Sequence, residues 1–357
     1  MSNMSKTAAT VQKVVSTKLS HGSTVFSMIQ PTGLFHLGNY FGAVRVWKQL
    51  ANPSNCHSHL MFGVADLHSI TLPQDPLRLN DSIETSIASL IACGLDPEHC
   101  NLFVQSRIPQ HVQLNWILSC ITPMGQLNRM TQFKSKAALR SEDIGSAKLG
   151  LFTYPVLQAA DILIYKSTHV PVGQDQAQHL ELTRDIAQLF NNTVGREYFP
   201  LPSTMLAPTQ KIVSLKNPSK KMSKSDPDEL SKIFFNESSK NIVHKINKAV
   251  TDSIEGPLYY SEEQRPGISN LINLIAAVTG QSIQNIEHQI SDFTKAQLKD
   301  YTSSLIIDEL KEPSYRYKQI KDDHALLEKI AIEGSRIASE KAQKTIDEVY
   351  SLVGLRR

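Results

Sequence analysis

The sequence has 357 residues, of which 41% are apolar and 20% charged, and its formal net charge is +3. This length corresponds to about two domains, and the composition is that of an ordinary soluble globular protein. The small net charge excludes a general polycation, so any nucleic-acid partner would be held by local basic patches. No apolar run approaches the roughly 20 residues that a membrane span requires.

Residues 1–23 have the character of an organellar transit peptide. No Asp or Glu occurs before Asp66, and the first 24 residues contain three lysines among Ser, Thr, Ala and Val. Amphipathic, hydroxyl-rich segments without acids are typical of such peptides. On a helical wheel one side carries Ala8, Val11, Val14, Val15 and Leu19, with Lys6 and Lys13 opposite. The alternative is a disordered basic tail on a cytoplasmic protein.

From Val25 onward the chain predicts strands that alternate with helices. Strands are predicted at 25–29, 59–65, 101–105 and 168–172, and helices at 39–50, 76–93, 111–121, 154–166 and 174–190. This alternation favours an α/β fold with a parallel sheet covered on both faces, which we assign to residues 24–229. From about residue 230 apolar residues recur at helical spacing, so residues 230–357 are predicted to form an all-helical C-terminal domain.

The cysteines do not predict a metal site. Cys56, Cys93, Cys100 and Cys120 show no CxxC spacing, so a zinc knuckle or a redox pair is not expected, and free thiols in a reducing compartment are the default. His57 and His59 lie beside Cys56, but a solvated loop explains this cluster better than a metal ion does. We therefore expect no metal held by protein ligands alone.

A glycine-containing turn follows the first predicted strand. Ligands of open α/β sheets bind at the carboxyl ends of the strands. There Gly33 permits a tight turn and Gly38 allows a close approach of the backbone at the start of the next helix. Helix N-termini attract phosphate, and His36 and Asn39 would add side-chain donors. Alone, the pattern is equally consistent with an ordinary turn before a helix.

A lysine-rich segment strengthens the prediction of phosphate binding. Five lysines occur between Lys211 and Lys224, with no acid until Asp226. A solvated basic loop is the usual reason for such a run. Here, however, serines and small residues between the lysines suit a mobile segment that closes over phosphates, with ammonium groups and hydroxyls as donors.

At these two segments the sequence resembles class I aminoacyl-tRNA synthetases. His36-Leu37-Gly38-Asn39 resembles the HIGH signature, and Lys221-Met222-Ser223-Lys224-Ser225 spells KMSKS. Five longer runs are similar to tryptophanyl-tRNA synthetases, and most of all to fungal mitochondrial members: 130–136, 153–165, 170–187, 220–227 and 265–274. The resemblance extends from about Val25 to the C-terminus. It implies a Rossmann-type catalytic domain, a helical domain that binds tRNA, and a location in the mitochondrial matrix.

The resemblance also implies the reaction and its partners. L-Tryptophan and ATP would give tryptophanyl-adenylate and pyrophosphate, and tRNA(Trp) would then accept the amino acid. Mg²⁺ would bridge the phosphate oxygens of ATP. The protein would be a homodimer that does not bind a membrane. The implied catalytic residues are His36, Gly38, Asn39, Lys136, Lys221, Ser223 and Lys224. The implied ATP-binding residues are Gln30, Pro31, Thr32, Gly38, Asn39, Gly173, Gln174, Asp175, Gln176, Ile212, Lys221, Met222, Ser223, Lys224 and Ser225.

The implied tryptophan pocket depends on one carboxylate. The indole N–H is a donor without acceptor capacity, and the family supplies its acceptor at the position of Asp161. The alternative is that Asp161 only caps or pairs within a buried helix. Tyr154 would face the ammonium group of tryptophan, and Phe26 and His68 its indole. Gln158 would line the pocket, with the ammonium group or Asp161 as its partner.

Other functions remain open at this stage. The tyrosyl branch uses a similar helix around the Asp161 position. A splicing cofactor or other RNA-binding protein derived from a synthetase would no longer need the ATP loops, and a small-molecule nucleotidyltransferase would not need the long helical region. Lys245, Lys248, Arg316 and Lys318 are basic residues that could touch tRNA, although surface lysines on helices are usually only solvated.

Overall fold

The computed structural model describes residues 12–13, 19–52, 59–130, 148–206 and 212–356. Its centre is a six-stranded sheet: β1 Gln12–Lys13, β2 Thr24–Ile29, β3 His59–Val64, β4 Asn101–Val104, β5 His169–Val172 and β6 Ser203–Leu206. The strand order is β1-β6-β5-β2-β3-β4, and every pair is parallel. The order reverses between β2 and β5, so a crevice opens at their carboxyl ends.

Helices surround this sheet and then continue alone. They are α1 Leu37–Asn39, α2 Arg45–Leu50, α3 Asp66–Ser69, α4 Pro76–Ala92, α5 Gln110–Ile121, α6 Met124–Asn128, α7 Leu149–Leu163, α8 Ala177–Val194, α9 Ser239–Asn247, α10 Pro266–Thr279, α11 Ile283–Gln289, α12 Lys295–Ile320 and α13 His324–Leu352. A π-helical turn, Tyr40–Val44, joins α1 to α2 without a break. No helix within the described ranges is long and apolar enough to cross a membrane.

The predicted α/β fold with a helical C-terminal region is confirmed, and the four predicted strands agree with the structure to within one residue at each end. The strands are buried on both faces, with Val25, Phe62 and Phe103 fully inaccessible, which is why each reads as a continuous apolar run. Strand β6 was not predicted. It has only four residues, and its neighbours Pro202 and Ala207 give no strand signal.

Two residues of the predicted transit peptide belong to the sheet, and the transit-peptide character of the segment stays a prediction. Gln12 and Lys13 are extended and pair with Met205 and Leu206 at the edge of the sheet. An edge strand gains backbone hydrogen bonds from its neighbour, and this can outweigh a weak helical preference. The other residues of the helical wheel up to Lys18 lie outside the described ranges.

The helix predicted at 154–166 begins five residues earlier, at Leu149, and ends at Leu163. Its start was missed because Lys148, its N-cap, makes no side-chain capping bond. Its end has a left-handed residue, Lys166, with φ 49°. Lys166 N donates to Leu163 O (2.8 Å) and Ser167 N to Ile162 O (3.3 Å), the hydrogen bonds of a Schellman motif.

The last helix, α13, returns to the sheet and covers the edge strand β4. Val104 N donates to Ser335 Oγ (3.3 Å), and Asn101 Nδ2 donates to Gly334 O (3.0 Å). A side chain at position 334 could not fit, because a Cβ there would lie 1.7 Å from Leu102 O. The helix therefore satisfies a strand edge that would otherwise be open to pairing with another chain, and it shares a core with the sheet.

A partly buried polar cluster joins the π-helical turn and α2 to the C-terminal helices. In the π-helical turn, Tyr40 OH donates to Glu309 Oε1 of α12 (2.8 Å). Arg45 Nε lies 3.5 Å from the same oxygen, and Arg45 also donates to the carbonyls of Ala277 and Val278 at the end of α10. The helix that begins at the crevice is thus fixed to two helices of the C-terminal region.

Candidate active site

Two predicted nucleotide-binding segments meet at the crevice. Gln30, Pro31 and Thr32 follow β2 directly, and Gly173, Gln174 and Asp175 follow the adjacent strand β5. Gly33 has φ +78°, a left-handed conformation that glycine adopts without strain. The sequence runs are more than 140 residues apart in the chain, and the sheet brings them together because parallel neighbours end on the same side.

His36 caps the helix that starts in this crevice. Its Nδ1 accepts a hydrogen bond from Gly38 N (3.0 Å), and His36 N donates to Asn39 Oδ1 (3.4 Å), which completes a capping box. Burial, and then the nearby Lys224, Lys221 and Lys232, lower the pKa of His36 to about 4. The ring is therefore neutral at pH 7, and since Nδ1 accepts, the proton lies on Nε2 and can be donated.

Gly38 has a structural role beside the expected one. A Cβ at this position would lie 2.8 Å from His36 Cε1 and 2.9 Å from His36 Nδ1. The absence of a side chain thus makes room for the capping ring, and the Gly38 N–H is already used by His36. Asn39 keeps its side-chain NH₂ group as a donor, because only its Oδ1 takes part in the cap.

The KMSKS segment closes one side of the crevice. Met222 is 2% exposed, as expected for an apolar anchor, and its N–H donates to Ile212 O (3.2 Å). The Lys224 ammonium group donates to Thr32 O, which connects the segment to the end of β2. Lys224 is partly buried, and this burial lowers its pKa to about 7.

The remaining polar residues of this segment point to the same region. Lys221 Nζ lies 3.9 Å from Asp175 Oδ2, and Ser223 Oγ and Ser225 Oγ are 2.9 Å apart. A Cβ on Gly173 would lie 2.7 Å from Asp175 Oδ1, so this glycine leaves room for the carboxylate. The Lys221 ammonium group thus faces the segment after β5.

Backbone pairing joins the HLGN motif to a segment that follows KMSKS in the chain. Leu37 N donates to Ile233 O (2.9 Å) and Phe235 N donates to Phe35 O (3.0 Å), so that residues 233–235 lie against the start of α1. The ammonium groups of Lys224 and Lys245 each lie 5.9 Å from the centroid of the Phe234 ring. The positions of HLGN and KMSKS are therefore mutually dependent.

Deeper in the crevice, Asp161 of α7 is fully buried and accepts hydrogen bonds from three side chains. His68 Nε2 lies 2.7 Å from Oδ2, His111 Nδ1 lies 2.5 Å from Oδ1, and Gln105 Nε2 lies 2.9 Å from both oxygens. Burial alone would raise the pKa of Asp161, but His111 and His68 outweigh it and lower the pKa to about 2. The carboxylate is ionised at neutral pH.

Gln105, His111 and Tyr165 were not among the predicted site residues. His111 Nε2 lies 2.8 Å from Tyr165 OH, so the imidazole bridges Tyr165 and Asp161. A signal did exist: Gln105 and His111 follow β4, and polar residues at the carboxyl end of a parallel strand face the ligand side of the sheet. That Asp161 is their partner could not be predicted, because this contact depends on the order of the strands in the sheet.

The two histidines and the carboxylate do not form a metal site. One nitrogen of each ring, His68 Nε2 and His111 Nδ1, lies at hydrogen-bonding distance from a carboxylate oxygen of Asp161. A proton therefore occupies the space between the nitrogen and the oxygen. Within the described part of the chain no group of three or more His, Cys, Asp or Glu side chains could hold a metal ion.

The other predicted pocket residues lie around this cluster. Phe26 is stacked on Tyr165 with ring centroids 5.5 Å apart, and His68 meets the Tyr154 ring edge-on at 6.3 Å. Tyr154 OH lies 2.8 Å from His179 Nε2. Gln158 donates to Gln176 Oε1 (3.3 Å), which was not among its expected partners and which joins the amino-acid residues to the nucleotide residues.

Two other predicted contacts, those of Lys136 with phosphate and of Lys245 with tRNA, are not supported by the described residues. Lys136 and Lys211 lie outside the described residues, so the structure says nothing of a phosphate contact by Lys136. Lys245 is not a free surface cation: it is 8% exposed, donates to Lys232 O (2.9 Å) and pairs with Glu237 Oε1 (2.6 Å). Burying the Lys245 ammonium group with a carboxylate satisfies it internally, and this removes Lys245 from the candidates for tRNA contact.

Comparison with known proteins gives consistent matches. Residues 18–310 match the family model for class I tRNA synthetases of the tryptophan and tyrosine group. A Saccharomyces cerevisiae protein, the mitochondrial tryptophan–tRNA ligase, is 48% identical over 354 residues, covering 96% of this chain and 93% of that protein.

Solved structures are similar over nearly the whole chain. Mycoplasma pneumoniae tryptophanyl-tRNA synthetase superposes with a TM-score of 0.81 at 30% identity, covering 94% of this chain and 98% of that one. The Campylobacter jejuni tryptophanyl-tRNA synthetase in complex with ADP and tryptophan has a TM-score of 0.74 at 31% identity, with 93% and 99% covered.

Proposed function

The chain belongs to the class I tRNA synthetases of the tryptophan and tyrosine group, and from this premise we propose that it is the mitochondrial tryptophan–tRNA ligase of its source. The observation that carries the proposal is its 48% identity, along 96% of the chain, to a mitochondrial tryptophan–tRNA ligase. The crevice between β2 and β5 agrees with it, because it presents ammonium groups beside a deep pocket with one ionised carboxylate.

The reaction requires positioning and charge neutralisation more than proton transfer. The carboxylate of tryptophan is ionised at neutral pH and attacks the α-phosphorus of ATP without a general base. Negative charge then develops on the departing pyrophosphate, and fixed donors stabilise it. In our proposal the neutral His36 ring donates from Nε2, and Lys221, Ser223 and Lys224 neutralise the pyrophosphate. The contact of Lys224 with Thr32 O supports this, since it holds the ammonium group at the end of β2.

The nucleotide would lie across the switch point of the sheet. The segments Gln30–Thr32 and Gly173–Gln176, with Gly38 and Asn39 at the helix start, would hold ribose and phosphates. Ile212, which is 4% exposed and bonded to Met222, would pack on the adenine. Mg²⁺ would enter with ATP as part of the substrate: the described residues of the KMSKS segment offer ammonium groups, whereas magnesium prefers phosphate and carboxylate oxygens.

Asp161 would accept the indole N–H. Its carboxylate already has three side-chain donors, of which Gln105 contacts both oxygens, so the indole N–H would compete with them for the oxygen lone pairs. His68 is the best placed to move, because it is 8% exposed while Gln105 and His111 are fully buried. Phe26 and His68 would lie beside the indole and Tyr154 would face the ammonium group of tryptophan, toward which Gln158 would reorient from Gln176.

The second substrate is tRNA(Trp), and the assembly is proposed to be a homodimer. Helix α5 exposes Val112 (49%) and Trp116 (71%) one helical turn apart, and Met124 and Leu149 on the helices packed beside it are 73% and 74% exposed. Large exposed apolar side chains at such spacing are typical of an interface between subunits. Light scattering of the wild type and of Trp116→Glu, which would place a charge at the centre of the contact, tests this proposal.

The decisive experiment is ATP–pyrophosphate exchange with the purified protein. Exchange should depend on tryptophan and not on tyrosine, and aminoacylation should follow with mitochondrial tRNA(Trp) as the acceptor. Exchange supported by tyrosine at equal efficiency would assign the chain to the other branch of its family. Exchange with neither amino acid would refute a synthetase function.

A further inference from the structure

Lys232 is a nearly fully buried lysine between the two signature motifs that the proposed reaction does not use. It is 2% exposed and follows the KMSKS sequence by seven residues. A buried ammonium group costs several kcal/mol unless it is paired and hydrogen-bonded, and an apolar side chain would often be at least as stable there. Its position therefore requires an explanation from its partners.

The partners of Lys232 are on the loop that carries KMSKS. Its Nζ donates to Lys224 O (3.1 Å) and to Asp226 O (2.6 Å), and lies 2.9 Å from Glu229 Oε1. An ammonium group has three N–H donors and no acceptor, so these three oxygens satisfy it completely. Lys232 has no donor left for a phosphate oxygen, and its contacts with Lys224 and Asp226 are to backbone atoms.

The backbone of Lys232 is itself held in place. Lys245 of α9 donates to Lys232 O (2.9 Å). The next residues, 233–235, pair with Phe35 and Leu37 at the start of α1. The side chain of Lys232 therefore connects a segment fixed to the HLGN motif with the two loop carbonyls on either side of Ser225.

We infer that Lys232 is a positioning residue that fixes the KMSKS loop relative to α1, so that the Lys224 ammonium group is directed toward Thr32 and the pyrophosphate-binding region. The inference rests on the proposed synthetase function for its kinetic part. The loop is thus held through its backbone carbonyls by the Lys232 ammonium group, which does not touch the substrate. Removing this cation should misplace Lys224 without altering the amino-acid pocket.

The test uses Lys232→Met, which keeps the length of the side chain and removes its charge and donors. In the full-length protein kcat/KM for ATP in pyrophosphate exchange should fall about tenfold, the equivalent of ~1.4 kcal/mol, while tryptophan binding without ATP stays unchanged. Glu229→Gln is the matched control. Glu229 pairs with Lys232 but does not touch the loop carbonyls, and its side chain is 73% exposed, so this variant should keep wild-type activity.

A double-mutant cycle separates positioning from general destabilisation. Lys224→Ala should lower the rate of adenylate formation by about 10²-fold, and adding Lys232→Met should lower it little further, because residues that act through one another are not additive. Independent losses that multiply to about 10³-fold would overturn the inference.

Hydrogen exchange gives a readout that needs no activity. Amides of residues 220–228 should exchange faster in Lys232→Met than in the wild type or in Glu229→Gln, while those of α7 do not change. Unchanged loop exchange would refute the inference, even if the synthetase function itself were correct. If Lys232→Met does not fold, Lys232→Gln, which is neutral but polar, replaces it in both measurements.

Discussion

At the scale of single residues, the polar side chains of the crevice are held by hydrogen bonds to one another. Gly38, His36 and Asn39 lie at the crevice as predicted, but they form a cap among themselves. Asp161 is buried as the pocket requires, but its donors Gln105 and His111 come from the turn after β4 and from α5. Local sequence identifies such residues by type, whereas their partners depend on strand order.

Replacing Asp161 should destroy the preference for tryptophan over phenylalanine. A hydrogen bond to a charged acceptor contributes roughly 1.5–3 kcal/mol, so Asp161→Ala should lower kcat/KM for tryptophan by about 10–10³-fold. Phenylalanine has no N–H, and its poor activation should change much less. Pyrophosphate exchange with both amino acids measures the ratio.

Stability has to be followed in the same experiment, because Asp161→Ala also leaves His68, Gln105 and His111 without their acceptor. Each unpaired buried donor costs about 1–3 kcal/mol, and the Tm should fall. Asp161→Asn keeps one accepting oxygen and should be intermediate in both respects. Equal losses for tryptophan and phenylalanine in Asp161→Ala would show that Asp161 supports the fold and does not recognise the indole.

The lowered pKa of Lys224 makes ATP binding dependent on pH. With a pKa of about 7 in the free protein, Lys224 is mostly neutral at pH 8 and mostly charged at pH 6. Phosphate oxygens favour the charged form, so ATP binding at pH 8 should take up close to one proton more than at pH 6. Titration calorimetry in buffers of different ionisation enthalpy measures this uptake. Any proton exchanged by ATP itself is the same for both proteins, so Lys224→Ala should lower the difference between the two pH values by nearly one proton, and an unchanged difference would assign the proton to another group.

At the scale of helices and strands, periodicity predicted the elements that have clear sequence signals. Strand β6 and the first turn of α7 were missed for the reasons given above: a short strand, and a helix start without a capping side chain. The return of α13 to β4 was also not predicted. Its one signal in the sequence is Gly334, since a glycine within a long helix reduces stability unless something approaches it closely.

Gly334→Ala should therefore destabilise the protein. The new Cβ would lie 1.7 Å from Leu102 O, so α13 would have to move away from β4. Overpacking of this kind typically costs ~1–3 kcal/mol, which should appear as a lower midpoint in urea denaturation. Gly125→Ala is the matched control: it lies in α6 with nothing within 4 Å of a Cβ, and the better helix propensity of alanine should add up to about 1 kcal/mol of stability. Equal stability of the two variants would contradict the close packing of α13 on β4.

At the scale of the whole molecule, the alternation of strands and helices was sufficient to predict the class of fold but not its connectivity. Nothing local distinguishes the order β6-β5-β2-β3-β4 from other parallel orders, and the crevice depends on that order. The division between residues 24–229 and 230–357 stays a prediction. Helix α13 lies in the second part by sequence but shares a core with the sheet of the first.

The N-terminal segment has its own test. Deleting residues 2–22 should leave the activity of the purified protein intact and abolish mitochondrial import, because the deleted segment carries the basic, acid-free character of a transit peptide. The deletion also removes the two-residue strand β1 at the edge of the sheet. Import is measured with isolated mitochondria and activity by pyrophosphate exchange. Import of the truncated protein, or loss of its activity, would refute the transit-peptide interpretation.

The cluster around Asp161 has a consequence for laboratory evolution toward amino acids outside the genetic code. Because His68, Gln105 and His111 share one carboxylate, their contributions are coupled. Libraries that randomise Asp161 alone should return mostly poorly folded clones. Libraries that randomise it together with Gln105 and His111 can restore a satisfied cluster around a new acceptor or an apolar wall. Accessible new substrate specificities are thus expected to lie several simultaneous substitutions away from this sequence, and few should be reachable one at a time.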